Sequence, residues 1–294
     1  MLSVRGLTRS FSGTTVLDDV SFDVRPGRVT GFVGANGAGK TTTMRIIVGV
    51  LAATRGDVLW DQAPITTAQR RSFGYLPEER GLFPKLPVLD QLVFFARLHG
   101  VGVDEATRRS DRLLDRFALS QRRSDVLETL SLGNQQRVQI AAALIHRPSA
   151  LILDEPFSGL DPVAVDEMVA LLREEASAAV PILFSSHQME LVERLCDDVV
   201  ILSRGELVAA GETEALKSQG PDRYRIELAG QADAGWIRDL DGIRTLDVEG
   251  RTALVELTGV SPDELLATVM AKSPVTEFAR EVRTLAQIYR EVIE

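Results

Sequence analysis

The chain has 294 residues, 45% of them hydrophobic and 26% charged, with a formal net charge of −9. This length fits one large domain plus a small one, with ample apolar material for a core. The acidic balance argues against a general attraction to nucleic acid, and the longest apolar stretch, Ile46 to Ala53, is less than half of the roughly 20 residues a membrane-spanning helix needs.

The segment Met1 to Ser10 has no apolar signal region, and Cys196 is the single cysteine, so no intramolecular disulfide can form and a cytosolic chain is expected. His99, His146 and His187 are widely spaced and lack cysteine partners, so no structural metal site is expected. Val16 to Val24 alternates as a half-buried strand, and Pro26-Gly27 turns the chain into a second apolar run, Val29 to Val33. An antiparallel β element thus precedes the core. Next comes G-A-N-G-A-G-K-T at Gly34 to Thr41, followed by an amphipathic run from Thr42 to Val50.

From Leu89 to Phe117 the apolar spacing is helical, and an inserted helical subdomain is expected over about 85 to 145. Two nearly continuous apolar strands follow, Ala150 to Leu153 and Ile182 to Ser185, with a helix from Val163 to Ala178 between them. Strands alternating with helices predict a mostly parallel, covered sheet. Past Gly220-Pro221 the pattern changes to short strands (Tyr224 to Leu228, Ile243 to Val248, Thr252 to Leu257) and two helices (Pro262 to Lys272, Arg283 to Ile293). That tail, 221–294, reads as a separate small α+β domain.

A strand, a glycine-rich loop and a helix, in that order, bind phosphate. Glycines let successive backbone N–H groups curl around an anion, and the helix N-terminus adds its positive dipole end. The expected nucleotide contacts are Gly34, Asn36, Gly37, Ala38, Gly39, Lys40, Thr41 and Thr42. Lys40 is placed to reach the β- and γ-phosphates, and the Thr41 hydroxyl to ligate Mg²⁺. At A-L-I-L-D-E, Ala150 to Glu155, an apolar strand ends in two acids, at the sheet edge where open α/β folds bind ligands. Asp154 is expected to hold the metal through its water shell, and Glu155 to polarise the attacking water.

These motifs resemble the ATP-binding cassette (ABC) ATPases over about 1–217, and five more segments carry the resemblance. L-S-L-G-N-Q-Q-R at Leu130 to Arg137 is similar to the family signature. In the family that segment binds the γ-phosphate of ATP held by the other subunit, here through Ser131 and Gly133. S-G-L-D, Ser158 to Asp161, resembles the loop that crosses the dimer, and S-S-H, Ser185 to His187, the switch whose histidine contacts the γ-phosphate. Phe11 matches the aromatic that stacks on adenine. The fifth segment, G-Y-L-P-E-E at Gly74 to Glu79, has Glu78 where the family usually has a metal-sensing glutamine; a carboxylate is still a hard oxygen ligand but adds negative charge near the phosphates. The signature also has Leu132 for its first glycine and Asn134 for its glutamine.

The resemblance implies an α/β P-loop NTPase core with an antiparallel β subdomain and a helical insertion, using ATP and Mg²⁺. Its partners would be a second copy of the chain or a homologous ATPase subunit, and separate transmembrane permease subunits, with the chain peripheral on the inner face of the membrane and no nucleic acid bound. P-E-E-R-G-L-F-P, Pro77 to Pro84, and the tail domain are similar to ATPases of bacterial drug, sodium and lipid-carrier exporters. The alternatives are a soluble ABC ATPase acting on ribosomes, DNA or assembly factors, and a regulatory cassette in which Glu78 impairs turnover. The arginines Arg108, Arg109, Arg112, Arg116, Arg122 and Arg123 are interspersed with acids, which predicts a solvated face rather than a lipid-binding one.

Overall fold

Val29–Val33 is buried at every position, as a strand covered on both faces must be, and the large sheet is built on it. The computed structural model describes residues 1–79, 81–230 and 233–293; Arg80, within the Pro77 to Pro84 run, lies outside them, as does Glu294. The chain divides into two compact units, Met1–Thr213 with the stretch from Tyr289, and Glu214–Ile288.

In chain order the large unit contains β1 (Leu2–Phe11), β2 (Thr14–Val24), β3 (Val29–Val33), α1 (Lys40–Ile47), β4 (Arg55–Trp60), β5 (Ala63–Pro64), α2 (Thr67–Arg71), β6 (Phe73–Leu76), α3 (Val88–Leu98), α4 (Val103–Arg116), α5 (Leu132–Leu144), β7 (Ala150–Leu153), α6 (Pro162–Ser177), β8 (Ile182–Ser186), α7 (Met189–Leu195), β9 (Asp198–Ser203) and β10 (Glu206–Glu212). One sheet has the order β10-β9-β3-β8-β7-β6; it is parallel except for the edge strand β10, which runs antiparallel to β9. A second, antiparallel sheet has the order β2-β1-β4-β5. Leu2, Val4, Leu17, Val20, Phe32, Met44 and Ile47 interlock in one core that joins the second sheet to β3 and α1. At the start of β9 the buried Asp198 pairs with both Arg25 and Arg28, the latter at 2.8 Å.

The continuous helical pattern from Leu89 to Phe117 is two helices in the structure, α3 and α4, parted where Gly100 takes φ +81°. On α4 the buried Ala106, Ser110 and Leu114 recur every four residues, while Glu105 pairs with Arg108 and Arg109, and Arg116 with Glu174. The arginine-rich face is therefore charge-compensated.

After α8 (Thr213–Lys217), the small unit contains β11 (Arg223–Leu228), a 3₁₀ turn (Ala234–Asp239), β12 (Ile243–Glu249), β13 (Thr252–Leu257), α9 (Pro262–Lys272) and β14 (Val275–Glu281), and α10 (Leu285–Ile293) closes the chain. Its antiparallel sheet has the order β12-β13-β11-β14. This is the strand order of a ferredoxin-like unit, with the 3₁₀ turn where the first helix belongs. Ile226, Leu228, Ala253, Val255, Leu265 and Val269 form its separate core. A capping box, Ser261 with Glu264, starts α9.

Candidate functional site

Gly39 sets the geometry of the phosphate loop. It takes φ +106°, and a Cβ there would lie 2.4 Å from Leu17 Cδ2, so only glycine fits. The helix it opens, α1, has no side-chain cap and no acid in its first turn, which leaves its free N–H groups to an anion. Lys40 is 7% exposed, and its ammonium donates to the carbonyls of Gly34 at 2.7 Å and Ala35 at 3.2 Å. The loop is thus laced to its own cation.

A cavity of about 350 Å³ lies over this turn, and Asn36, Gly37, Gly39, Lys40, Thr41, Thr42, Glu78, Asp154 and Glu155 line it together with Val16. Asp154 and Glu155 reach it because β7 ends there. The Ser185 hydroxyl, at the end of β8, donates to Asp154 Oδ1 (2.6 Å) and accepts the Glu155 N–H (2.8 Å), fixing one acid against the other. Asp154 is 1% exposed, and its Oδ2 is buried with no partner among the described residues. A buried, unpaired carboxylate oxygen is costly, and a hard cation beside the phosphates would satisfy it. The donor set therefore fits Mg²⁺.

Glu155 has φ +50°, a left-handed conformation disfavoured for a residue with a Cβ. Burial pushes its carboxyl above the ordinary value; a hydrogen bond from His187 and the charges of His187 and Lys40 pull it back, and Asp154 raises it. His187 Nδ1 lies 3.1 Å from Glu155 Oε2. The result is a partly desolvated carboxylate held beside a cation and an imidazole, the arrangement of a general base.

Phe11, Gly34, Ala38, Ser131, Gly133, Asp161 and His187 do not line the cavity. Gly34 and Ala38 are buried beneath the loop, and a Cβ on Gly34 would meet the Leu202 carbonyl at 2.6 Å. Ser131 is exposed and caps α5, accepting the Asn134 N–H at 3.3 Å. A Cβ on Gly133 would lie 3.2 Å from the Gly159 carbonyl, so the signature segment and the Ser158 to Asp161 loop pack closely within one chain. Asp161 caps α6, accepting the Ala164 N–H at 2.9 Å. Residues the motifs did not single out include Val16, the Ser185 hydroxyl, and two glutamines of α5. Gln136 donates to the Pro156 carbonyl (3.0 Å) and Gln139 to that of Pro77 (2.8 Å), tying α5 to the loops that carry Glu155 and Glu78.

A family model described as ABC transporter matches residues 17–158, and one described as ATP-binding protein DrrA1-3-like, C-terminal domain, matches 211–293. The uncharacterized ABC transporter ATP-binding protein YhaQ of Bacillus subtilis is 37% identical over 296 residues, covering 100% of this chain and 98% of that protein. This chain belongs to the ABC transporter ATP-binding proteins. The lipopolysaccharide export system ATP-binding protein LptB of Escherichia coli is 32% identical, covering 76% of the chain and 96% of that protein. A solved ATP-binding subunit of an ABC transporter superposes with a TM-score of 0.69 at 34% identity, over 74% of this chain and 92% of its own. The large unit accordingly has the P-loop NTPase fold of these cassettes, and the chain is a subunit of an ATP-binding, ATP-hydrolysing family. Among the described residues no helix is long and apolar enough to cross a membrane.

Proposed function

We propose that this chain is the ATP-hydrolysing motor of a membrane exporter, working as a head-to-tail dimer with separate transmembrane subunits and peripheral on the inner face of the membrane. One observation carries the dimer. Ser131 and Gly133 lie outside the cavity that Lys40, Asp154 and Glu155 line in the same chain, and Ser131 is exposed. A second chain turned head to tail would bring its own signature segment to that cavity, so each site would draw on both copies.

Within the site, Lys40 and the N–H groups of the loop hold the β- and γ-phosphates, and Glu155 accepts the proton of the attacking water. His187 holds the Glu155 carboxylate and faces the γ-phosphate. Phe11 gives adenine a stacking surface. Thr41 and Asp154 would hold Mg²⁺ with Glu78 close by, and the bound ion offsets phosphate charge as it develops. Asp161, in the loop beside Gly133, approaches the partner's site.

A second cavity, about 310 Å³, suits the transmembrane partner. Arg70, Tyr75, Phe95, His99, Gln139 and His146 are among its lining, and the exposed Phe83 and Phe94 pack edge to face with ring centroids 5.6 Å apart. Gln139 Oε1 and both ring nitrogens of His146 are buried without a hydrogen-bond partner among the described residues, so a docked segment with polar side chains has groups to satisfy. Gln139 also holds Pro77, next to Glu78, and so links this groove to the nucleotide cavity. The name of one relative supports the exporter reading, LptB being named for a lipopolysaccharide export system; LnrL of Bacillus subtilis, 28% identical over 93% of this chain and 90% of its own length, is named for linearmycin resistance. The deciding experiment is ATP hydrolysis by wild type beside Glu155→Gln, with light scattering in ATP and Mg²⁺. The proposal requires turnover by wild type and an ATP-trapped dimer of the variant; a variant that stays monomeric at saturating ATP overturns the shared site.

A further inference from the structure

Phe11 ends β1, and the chain reverses there through Ser12 (φ +47°) and Gly13 (φ +87°) to Thr14. Two consecutive left-handed residues make the tight hairpin turn that matches strand twist, so the Phe11 backbone is rigidly set. Two residues earlier on the same strand face, the Arg9 guanidinium lies over the Phe11 ring, with Cζ 4.4 Å from the ring centroid. Arg9 Nε is buried with no hydrogen-bond partner among the described residues. The guanidinium faces the Phe11 ring.

The ladder ties this pair to the phosphate site. Arg9 pairs with Leu17 and Ser10 with Thr15, which leaves Val16 as the extra residue of a bulge, and bulges re-aim side chains. Val16 lines the nucleotide cavity. The Arg9–Phe11 stack therefore stands on the strand pair whose next step forms the cavity wall. Phe11 is 42% exposed, so with one ring face under the guanidinium the ring still offers surface to a ligand.

We infer that Arg9 is a positioning residue for the nucleotide base: it backs the Phe11 ring, fixes its orientation, and leaves the opposite face for a purine. This rests on the reading of Phe11 as the base platform. The physical gain is twofold. A cation on one face draws ring electron density toward itself, which lowers repulsion between the other face and the π-cloud of a stacked base. Holding the ring before the base arrives also removes an ordering cost from binding. The effect belongs to the base and not to the phosphates, and this separates it from a general structural role.

The test is calorimetric binding of ATP and of inorganic tripolyphosphate, both with Mg²⁺, to full-length wild type, Arg9→Ala, Arg9→Gln, Arg9→Lys and Phe11→Ala. The expected result is that Arg9→Ala and Arg9→Gln weaken ATP binding about two- to fivefold, that Arg9→Lys recovers part of the loss, and that tripolyphosphate binding is unchanged throughout. Gln keeps the stem to Cδ and a polar end without the charge, so a fold defect in Arg9→Ala does not decide the outcome. If Phe11→Ala weakens ATP binding and the Arg9 variants do not, the inference fails and the platform stands. If Phe11→Ala also leaves ATP binding unchanged, the platform reading fails and the inference with it. Equal losses for ATP and tripolyphosphate in the Arg9 variants likewise overturn it.

Discussion

His187 Nδ1 lies 3.1 Å from Glu155 Oε2, although the two residues leave the sheet on neighbouring strands, β8 and β7. Burial raises the Glu155 carboxyl, and the His187 contact works against that rise. A base is active when deprotonated, so the ATPase rate falls as pH drops through its folded value. Removing the imidazole in His187→Ala leaves burial less opposed, and the acid limb of kcat moves to higher pH. A limb that stays in place or moves to lower pH counts against Glu155 as the base. Glu155→Gln, measured alongside, loses about 10²- to 10⁴-fold in kcat.

Glu78 faces the same cavity as Asp154 and Glu155. In the proposed metal site its carboxylate would attract Mg²⁺ and, as a third acid, would repel the triphosphate. Glu78→Gln separates the two. The Mg²⁺ concentration for half-maximal hydrolysis rises about fivefold, while metal-free ATP binds more tightly by a similar factor, each corresponding to the roughly 1 kcal/mol of two unit charges at 4 Å in water. Titrating Mg²⁺ at fixed ATP, and ATP in chelator, reads both. If both constants stay within twofold of wild type, Glu78 has no role at the metal.

The Ser185 hydroxyl is buried, joins Asp154 Oδ1 to the Glu155 N–H, and thereby aims one carboxylate while holding the other's backbone in its left-handed turn. Ser185→Ala costs about 1–3 kcal/mol, the range for stranding buried polar partners, and lowers kcat more than it raises KM. Urea unfolding and steady-state kinetics check the two halves. Unchanged kcat in a destabilised variant would make the serine structural only.

The loop from Gly34 to Thr41 and the acids at Asp154 and Glu155 were legible because their chemistry is local. A strand end fixes each within a few residues, and glycines permit few other conformations. Ser185 was visible only as part of S-S-H, since its role depends on a strand 31 residues away in sequence. Gln136 was visible only inside L-S-L-G-N-Q-Q-R, and Gln139 gave no signal, because a glutamine inside a helix reads as an ordinary helix former. β14 escaped notice in the tail because V-T-E-F-A-R-E carries charges at exposed positions of an edge strand, where solvent and not a core sets the pattern. The break between α3 and α4 was hidden by apolar spacing that continues across it, although Gly100 and Gly102 marked it.

Asp198, 5% exposed at the start of β9, accepts from both Arg25 and Arg28 and joins the segment before β3 to the strand beside it. Asp198→Ala opens a gap beside Arg25 and Arg28 and leaves them the half-exposed Glu212 as a remaining acid. The arginines keep some solvent access, so the loss falls below the 3–5 kcal/mol of a fully buried pair, at about 2 kcal/mol. Denaturant midpoints with an unchanged m-value show it; a loss under about 0.5 kcal/mol would place this cluster with ordinary surface pairs.

His146, beyond the end of α5, stacks on His99, beyond the end of α3, with ring centroids 3.7 Å apart and planes 8° from parallel. Burial is the main reason its pKa is lowered from 6.5 to about 4; His99 and Arg109 add to the lowering, while the nearby Phe73 and Ser72 carbonyls oppose it. Its folded value lies below its unfolded one, so the unfolded chain binds the extra proton between them. Stability from the neutral ring is therefore complete above about pH 6.5 and is lost as pH falls toward 4. Because the ring keeps some contact with solvent, about 1–2 kcal/mol is at stake and not the full ~3 that the shift alone gives. His146→Phe keeps an aromatic ring in the stack and cannot titrate. Carboxylates destabilise both proteins in acid, so the difference between them is what matters: unfolding free energies at pH 7.0 and 4.5 should diverge, with wild type losing about 1–2 kcal/mol more than the variant. Parallel losses would mean that His146 is already paired with a proton acceptor when folded, and that the stack holds α3 to α5 independently of charge.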